Sequence, residues 1–190
     1  MEKDTLKPTE IVRTFITALQ AGDMETAAQY MTDDFVFEGW TPQALNKGEF
    51  LALQSELHAA MPDYAFNLSD MREQNGVVRA FMQIRGAQTR PLNLPMFGIR
   101  VPYTGVSVIL PQEHVEFVLA DGKVAQMRVE TKPGGGLAGL LQQIGAELPL
   151  SPQVGEIYGL AQDEREQEME VHRESPPWLG ESPMTDKDAG

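Results

Sequence analysis

The sequence predicts an α+β fold in which helices come first and an antiparallel sheet follows. Three observations predict it. Residues 8–61 carry apolar side chains mostly at helical spacing, with one short strand among them. From Tyr64 the apolar period changes to two. Two dipeptides, Asn75-Gly76 and Asp121-Gly122, stand between strand-like runs. Asn-Gly and Asp-Gly favour the type I′ turn, which needs positive φ at both central residues.

The first helix spans residues 8–21. Ile11, Val12, Phe15, Ile16 and Leu19 form one face, and Pro8 suits the first turn. Gly22 stands where a left-handed residue ends a helix, and Asp23 is placed to cap a second one, Met24–Met31. Phe35-Val36-Phe37 reads as a short strand. Asn46 with Glu49 resembles a capping box for a third helix, which Pro62 closes. Phe50, Leu53, Leu57 and Met61 give that helix its buried face.

Tyr64, Phe66 and Leu68 then alternate with polar or small residues, and Val77–Arg85 reads as a strand. Residues 88–105 contain Pro91, Pro95 and Pro102 among Leu92, Leu94, Met96, Phe97 and Ile99. That is too broken for a central strand and too apolar for a solvated loop, so a loop folded over a cavity or partner is expected. Val106–Leu110 and a hairpin over residues 113–130 complete the sheet. After Gly134-Gly135-Gly136, the stripe Leu137, Leu140, Leu141, Ile144 and Leu148 predicts a last helix.

The chain has 190 residues and a net charge of −13. That balance argues against nucleic acid, whose binding rests on neutralising phosphate. Residues 151–190 hold ten acids against three Lys or Arg. The reading is therefore one domain over residues 1–148 and an acidic, Pro-rich, largely disordered tail over 149–190, open to a protein partner. There is no cysteine, no apolar run of membrane-spanning length and no signal-like start. The expectation is a cytoplasmic protein without membrane contact.

Chemistry is sought on the 113–130 hairpin. If Ala120 pairs with Lys123, His114, Glu116 and Val118 share a face with Ala125, Met127 and Val129. His114 beside Glu116 is the leading acid/base pair, weighed against an inert rim position. Glu38, leaving the first strand beside Gly39 and Trp40, is a second candidate base, and Trp40 is equally wall packing. The same His-x-Glu, with Glu130 or His58, is too sparse for a metal site, so none is expected. Arg85, Arg90 and Arg100 read as a solvated rim.

The order helix, helix, strand, helix, strands resembles the nuclear transport factor 2-like cone fold. Phe15-Ile-Thr-Ala-Leu-Gln-Ala-Gly-Asp23 with Tyr30-Met-Thr-Asp-Asp-Phe-Val-Phe-Glu38 is similar to its opening helices and strand. Met61-Pro-Asp-Tyr64 is similar to the end of its third helix. Phe97–Gly105, His114, Asp121-Gly-Lys123 and Leu140-Leu-Gln-Gln-Ile-Gly145 resemble the SnoaL-like polyketide cyclase and ester cyclase branch.

The resemblance covers residues 8–148. It implies a curved sheet closing with the helices into a cone, a pocket in the mouth, and a homodimer through the convex sheet face. It also implies a small apolar carbonyl compound as ligand and acid/base chemistry without a cofactor. His114, Glu130, Glu116 and Glu38 would handle protons; Trp40, Tyr64, Met82, Phe97 and Met127 would contact the ligand. Two departures stand out. The family's carboxylate, fourteen residues after the pocket histidine, falls on Arg128, with Glu130 nearest. The isomerase branch's Tyr and Asp fall on Phe15 and Gly39. Two functions therefore stay open: a cyclase or isomerase, and a non-catalytic module that binds a ligand or protein.

Overall fold

The computed structural model describes residues 5–149. The acidic segment beyond Pro149, with its expected disorder and partner, lies outside the described residues. Helix α1 (Pro8–Gln20) carries proline in its first turn, and the Lys7 N–H donates to the Glu10 carboxylate at 3.0 Å. Its buried stripe includes Ile11, Val12, Phe15, Ile16 and Leu19. Asp23 accepts the Thr26 N–H at 3.0 Å and caps α2 (Met24–Gln29). That helix ends before Met31, where β1 (Met31–Glu38) begins. The Tyr30 carbonyl already accepts the Val124 N–H at 2.7 Å, so the sheet captures the chain there. The strand is thus eight residues long, not three.

The short strand β2 (Leu45–Asn46) leads into α3 (Lys47–Ala60). Asn46 and Glu49 exchange side-chain and backbone hydrogen bonds at 2.9 and 3.0 Å, the capping box read from the sequence. Tyr64 and Phe66 are buried, but Ala65 makes only an isolated bridge to Arg85. The next strand, β3 (Ser69–Gln74), starts later than the alternation suggested. Val77–Arg85 divides into β4 (Val77–Met82) and β5 (Arg85–Ala87).

The Pro-rich segment is a small hairpin rather than a loop. It consists of β6 (Leu92–Leu94), a 3-10 turn at Pro95–Phe97 and β7 (Ile99–Val101), with all four strand-end apolar residues buried. The fully buried Gln88 amide donates to the carbonyls of Val101 and Pro102 and pins the segment.

Strand β8 (Ser107–Ile109) pairs with β5. On its other side the Gln143 side-chain amide accepts the Ile109 N–H at 3.0 Å and donates to the Ile109 carbonyl at 2.8 Å. Strands β9 (Glu113–Ala120) and β10 (Lys123–Glu130) form the central hairpin. Asp121 and Gly122 have φ of 53° and 74°, as the turn requires. Helix α4 (Gly136–Gln143) buries Leu137, Leu140 and Leu141, and ends before the expected Leu148. Among the described residues no helix is long and apolar enough to cross a membrane.

The main sheet runs β2-β1-β10-β9-β4-β3. Every pairing is antiparallel except β1 with β10, which is parallel and corrects the all-antiparallel expectation. The two strands are joined only through the intervening domain, so no hairpin fixes their direction. Bulges or irregularities in the β1·β10, β9·β10 and β3·β4 ladders curve the sheet. Helices α1 and α3 cover its inner face. Phe15, Phe35, Phe37, Phe50 and Trp40 join ring to ring there, with centroids 4.8 to 6.4 Å apart. All five are buried and form one aromatic cluster beneath the sheet.

Candidate functional site

One residue decides which side of the sheet each candidate faces. Ala120 pairs with Lys123 and Leu119 with Val124, as expected, but Val118 pairs with Gln126. Ala125 is left over as a bulge. Beyond a bulge the alternation is displaced by one residue and every later side chain changes face. His114, Glu116 and Val118 therefore share a face with Gln126, Arg128 and Glu130, not with Met127 and Val129. This face points outward: His114, Arg128 and Glu130 are exposed, whereas Val115, Phe117, Met127 and Val129 are buried beneath the sheet.

All four candidate proton-handling residues meet on this outer face. His114, Glu130, Glu116 and Glu38, with Arg79 and Arg128, line a shallow groove of about 570 Å³. The strand registers set one row across four strands: Arg79, Glu116, Arg128, Glu38. Arg79 Nε donates to Glu116 at 2.9 Å, and Arg128 Nε approaches Glu38 at 3.4 Å. Gln126 adds a bond to Glu38 at 3.1 Å. Cross-strand opposite charges stabilise a sheet by about 0.2–1 kcal/mol per pair. In the next row His114 lies opposite Glu130 and packs against Phe81 with the rings tilted, centroids 4.4 Å apart. Val77, Val118, Gln126 and Val36 make the row on the other side.

The expected ligand contacts lie on the opposite side. Trp40, Tyr64, Met82 and Met127 are buried within the core, and Phe97 packs against it partly buried. Tyr64 is held by Gln54, and burial pushes its phenol far up. The sheet thus stands between the proton-handling set and the apolar set, and the single cone site expected of them is not assembled. Phe15 stacks on Phe50 at 6.1 Å, leaving no polar atom where the isomerase branch has its Tyr. At Gly39, φ is 92° and a Cβ would overlap the Val129 carbonyl, so no acid fits there.

One carboxylate does face inward. Glu113 is 0% exposed. Its Oε2 accepts the Lys132 N–H at 2.7 Å, and a Cβ at Gly135 would collide with it. Its Oε1 meets no hydrogen-bond partner among the described residues. Burial pushes the Glu113 carboxyl up; the N–H groups of Lys132 and Gly136 and the Lys132 charge pull it partly back. The sequence did carry a signal for it. Glu113 is in phase with Val115 and Phe117, a carboxylate in an otherwise apolar period-two set.

The profile of the SnoaL-like domain family matches residues 12–127. The chain belongs to the SnoaL-like family. No curated protein matches it. Solved structures resemble the SnoaL-like chain in fold. TsrD from Streptomyces laurentii is 21% identical with a TM-score of 0.57, over 76% of this chain and 99% of its own. IdmH from Streptomyces antibioticus, a polyketide cyclase candidate, is 17% identical at 0.55, over 74% and 100%. A SnoaL-like polyketide cyclase candidate from Jannaschia sp. CCS1 is 20% identical at 0.54, over 68% and 89%. The SnoaL-like α+β architecture, with its curved sheet, is therefore shared.

Proposed function

We propose that this SnoaL-like chain is a non-catalytic binding module that associates with a second copy of itself through the outer face of its sheet. The observation that carries the reading is the division of the candidate site by the sheet. A proton-transfer site needs its acid and base within reach of a bound substrate. Here His114, Glu116, Glu130 and Glu38 face outward, two of them already paired with arginine. Beneath the sheet, on the side where an apolar substrate would lie, Phe15, Phe35, Phe37, Phe50 and Trp40 form a buried cluster without a proton-handling group among them. The outer face mixes half-buried Val36, Val77, Phe81 and Val118 with paired charges, a composition suited to contact with another surface.

Two measurements test this. In a thermal shift against apolar ketones, phenols, lactones and fatty acids, the melting temperature stays constant. A ligand at a hundred times its Kd adds about 2.7 kcal/mol, a shift of roughly 5–10 °C at this size. Sedimentation equilibrium of the full chain gives the dimer mass. A saturable ligand shift, or a monomer at about 100 µM, a concentration well above typical dimer Kd values, overturns the proposal.

A second reading has one observation in its favour. Glu113 is a buried carboxylate held toward its protonated form, the state in which a carboxyl donates to a carbonyl oxygen. A cofactor-free cyclase or isomerase acting on a small apolar carbonyl compound would use it, with α4 moving aside to admit the substrate. This reading predicts a ligand shift that Glu113→Gln removes.

A further inference from the structure

The charge row on the outer face has an order, and the order has a symmetry. Read across β4, β9, β10 and β1 it runs Arg79, Glu116, Arg128, Glu38: plus, minus, plus, minus. Reversal turns every plus into a minus. A homodimer interface is self-complementary about its two-fold axis, so each group meets its symmetry-related counterpart. We infer that the second copy docks in one register, with the two-fold axis in the interface, parallel to the strands and midway between β9 and β10. This inference rests on the self-association proposed above.

The geometry follows from the strand order alone. Rotation about that axis sends β9 over β10 and β4 over β1, and leaves each row facing itself. Arg79 of one copy then lies over Glu38 of the other, and Glu116 over Arg128. Four opposite-charge contacts form from one row. The adjacent row obeys the same rule, because His114 comes to lie over Glu130. In the third row Val118 lies over Gln126 and Val77 over Val36. The other in-plane axis, perpendicular to the strands, sets Arg79 over Arg79 and Glu116 over Glu116. Like charges brought together across an interface cost several kcal/mol, so the row disfavours a perpendicular axis that passes through it. Its partners within each chain are half-exposed, and a second sheet about 10 Å away is near enough for each charge to reach across as well as sideways.

The test uses complementary charge reversals in the full chain. In Arg79→Glu, the new carboxylate meets Glu38 of the other copy twice per dimer. In Glu38→Arg, the new guanidinium meets Arg79 twice. Each variant alone is expected to self-associate at least about tenfold more weakly than wild type. An equimolar mixture restores association as the heterodimer, because one contact is then the native Arg79–Glu38 pair and the other has both charges reversed, so each is again opposite in sign. Sedimentation equilibrium with one variant carrying a fluorophore reads this out.

Circular dichroism first establishes that both variants fold, since each also places a like charge beside its own neighbour. If either fails, Val118→Cys and Gln126→Cys replace them without touching the row. The native chain has no cysteine, so a short bismaleimide joins only the introduced thiols. The mixture is expected to cross-link more efficiently than either variant alone. A dimeric wild type whose charge-reversed or thiol mixtures behave no differently from the single variants overturns the register while leaving the dimer standing. A monomeric wild type overturns the proposed association itself.

Discussion

Glu113 and Gly39 show how much one position decides. Glu113 is the one carboxylate-bearing residue among those described that is fully buried. Its carboxyl is pushed up by burial, so the native state binds a proton more readily than the unfolded chain. The stability this lends is complete below the ordinary carboxylate range and is lost as pH rises through the raised native value. Glu113→Gln keeps an oxygen for the Lys132 N–H and removes the buried charge. Thermal melts from pH 4 to 8 should show the variant gaining on wild type as pH rises; parallel curves would refute the assignment. At Gly39 the left-handed backbone and the Val129 carbonyl leave no room for a side chain. Gly39→Ala is expected to cost at least about 2 kcal/mol in urea denaturation. The same obstruction applies to aspartate, so Gly39→Asp cannot install the isomerase acid; isomerase activity in that variant would contradict it.

The hairpin β9–β10 carries the clearest division between what the sequence reveals and what it conceals. Its turn was legible because Asp121-Gly122 has a distinct backbone requirement, and so were the helix caps at Asp23 and Asn46, where side chain and backbone N–H are neighbours. The bulge at Ala125 was not. Ala125 is small, sits between Val124 and Gln126, and suits either face, so local composition does not mark it. Its position follows from packing on both sides of β10, including β1, which arrives from almost ninety residues earlier. That displacement separates His114 and Glu130, outside, from Met127, inside. Single-cysteine variants check the faces directly. A thiol at Arg128 should react with Ellman's reagent in the native protein, while one at Met127 should react only when the structure opens. Equal rates would show that the faces are misassigned. Glu113 was legible only in part: its phase with Val115 and Phe117 was visible, but the cover given by Gly135 depends on where α4 docks.

Across the whole molecule, association and fold stability are linked. A dimer makes the melting temperature rise with protein concentration, and a concentration-independent value would speak against it. The chain must then welcome one copy on its sheet face while refusing endless addition at its strand edges. The Gln143 amide at Ile109 has that second consequence. Donor and acceptor together, it plugs the open side of β8 as a neighbouring strand would, so a short apolar edge offers no template for polymer growth. Gln143→Ala should lower stability by only about 1–2 kcal/mol, the worth of two hydrogen bonds. Light scattering on storage should nevertheless rise steadily, as unguarded edges find one another. The residue that looks least chemical in the last helix would then set the shelf life of the protein, acting as a chain terminator for its own fibrils.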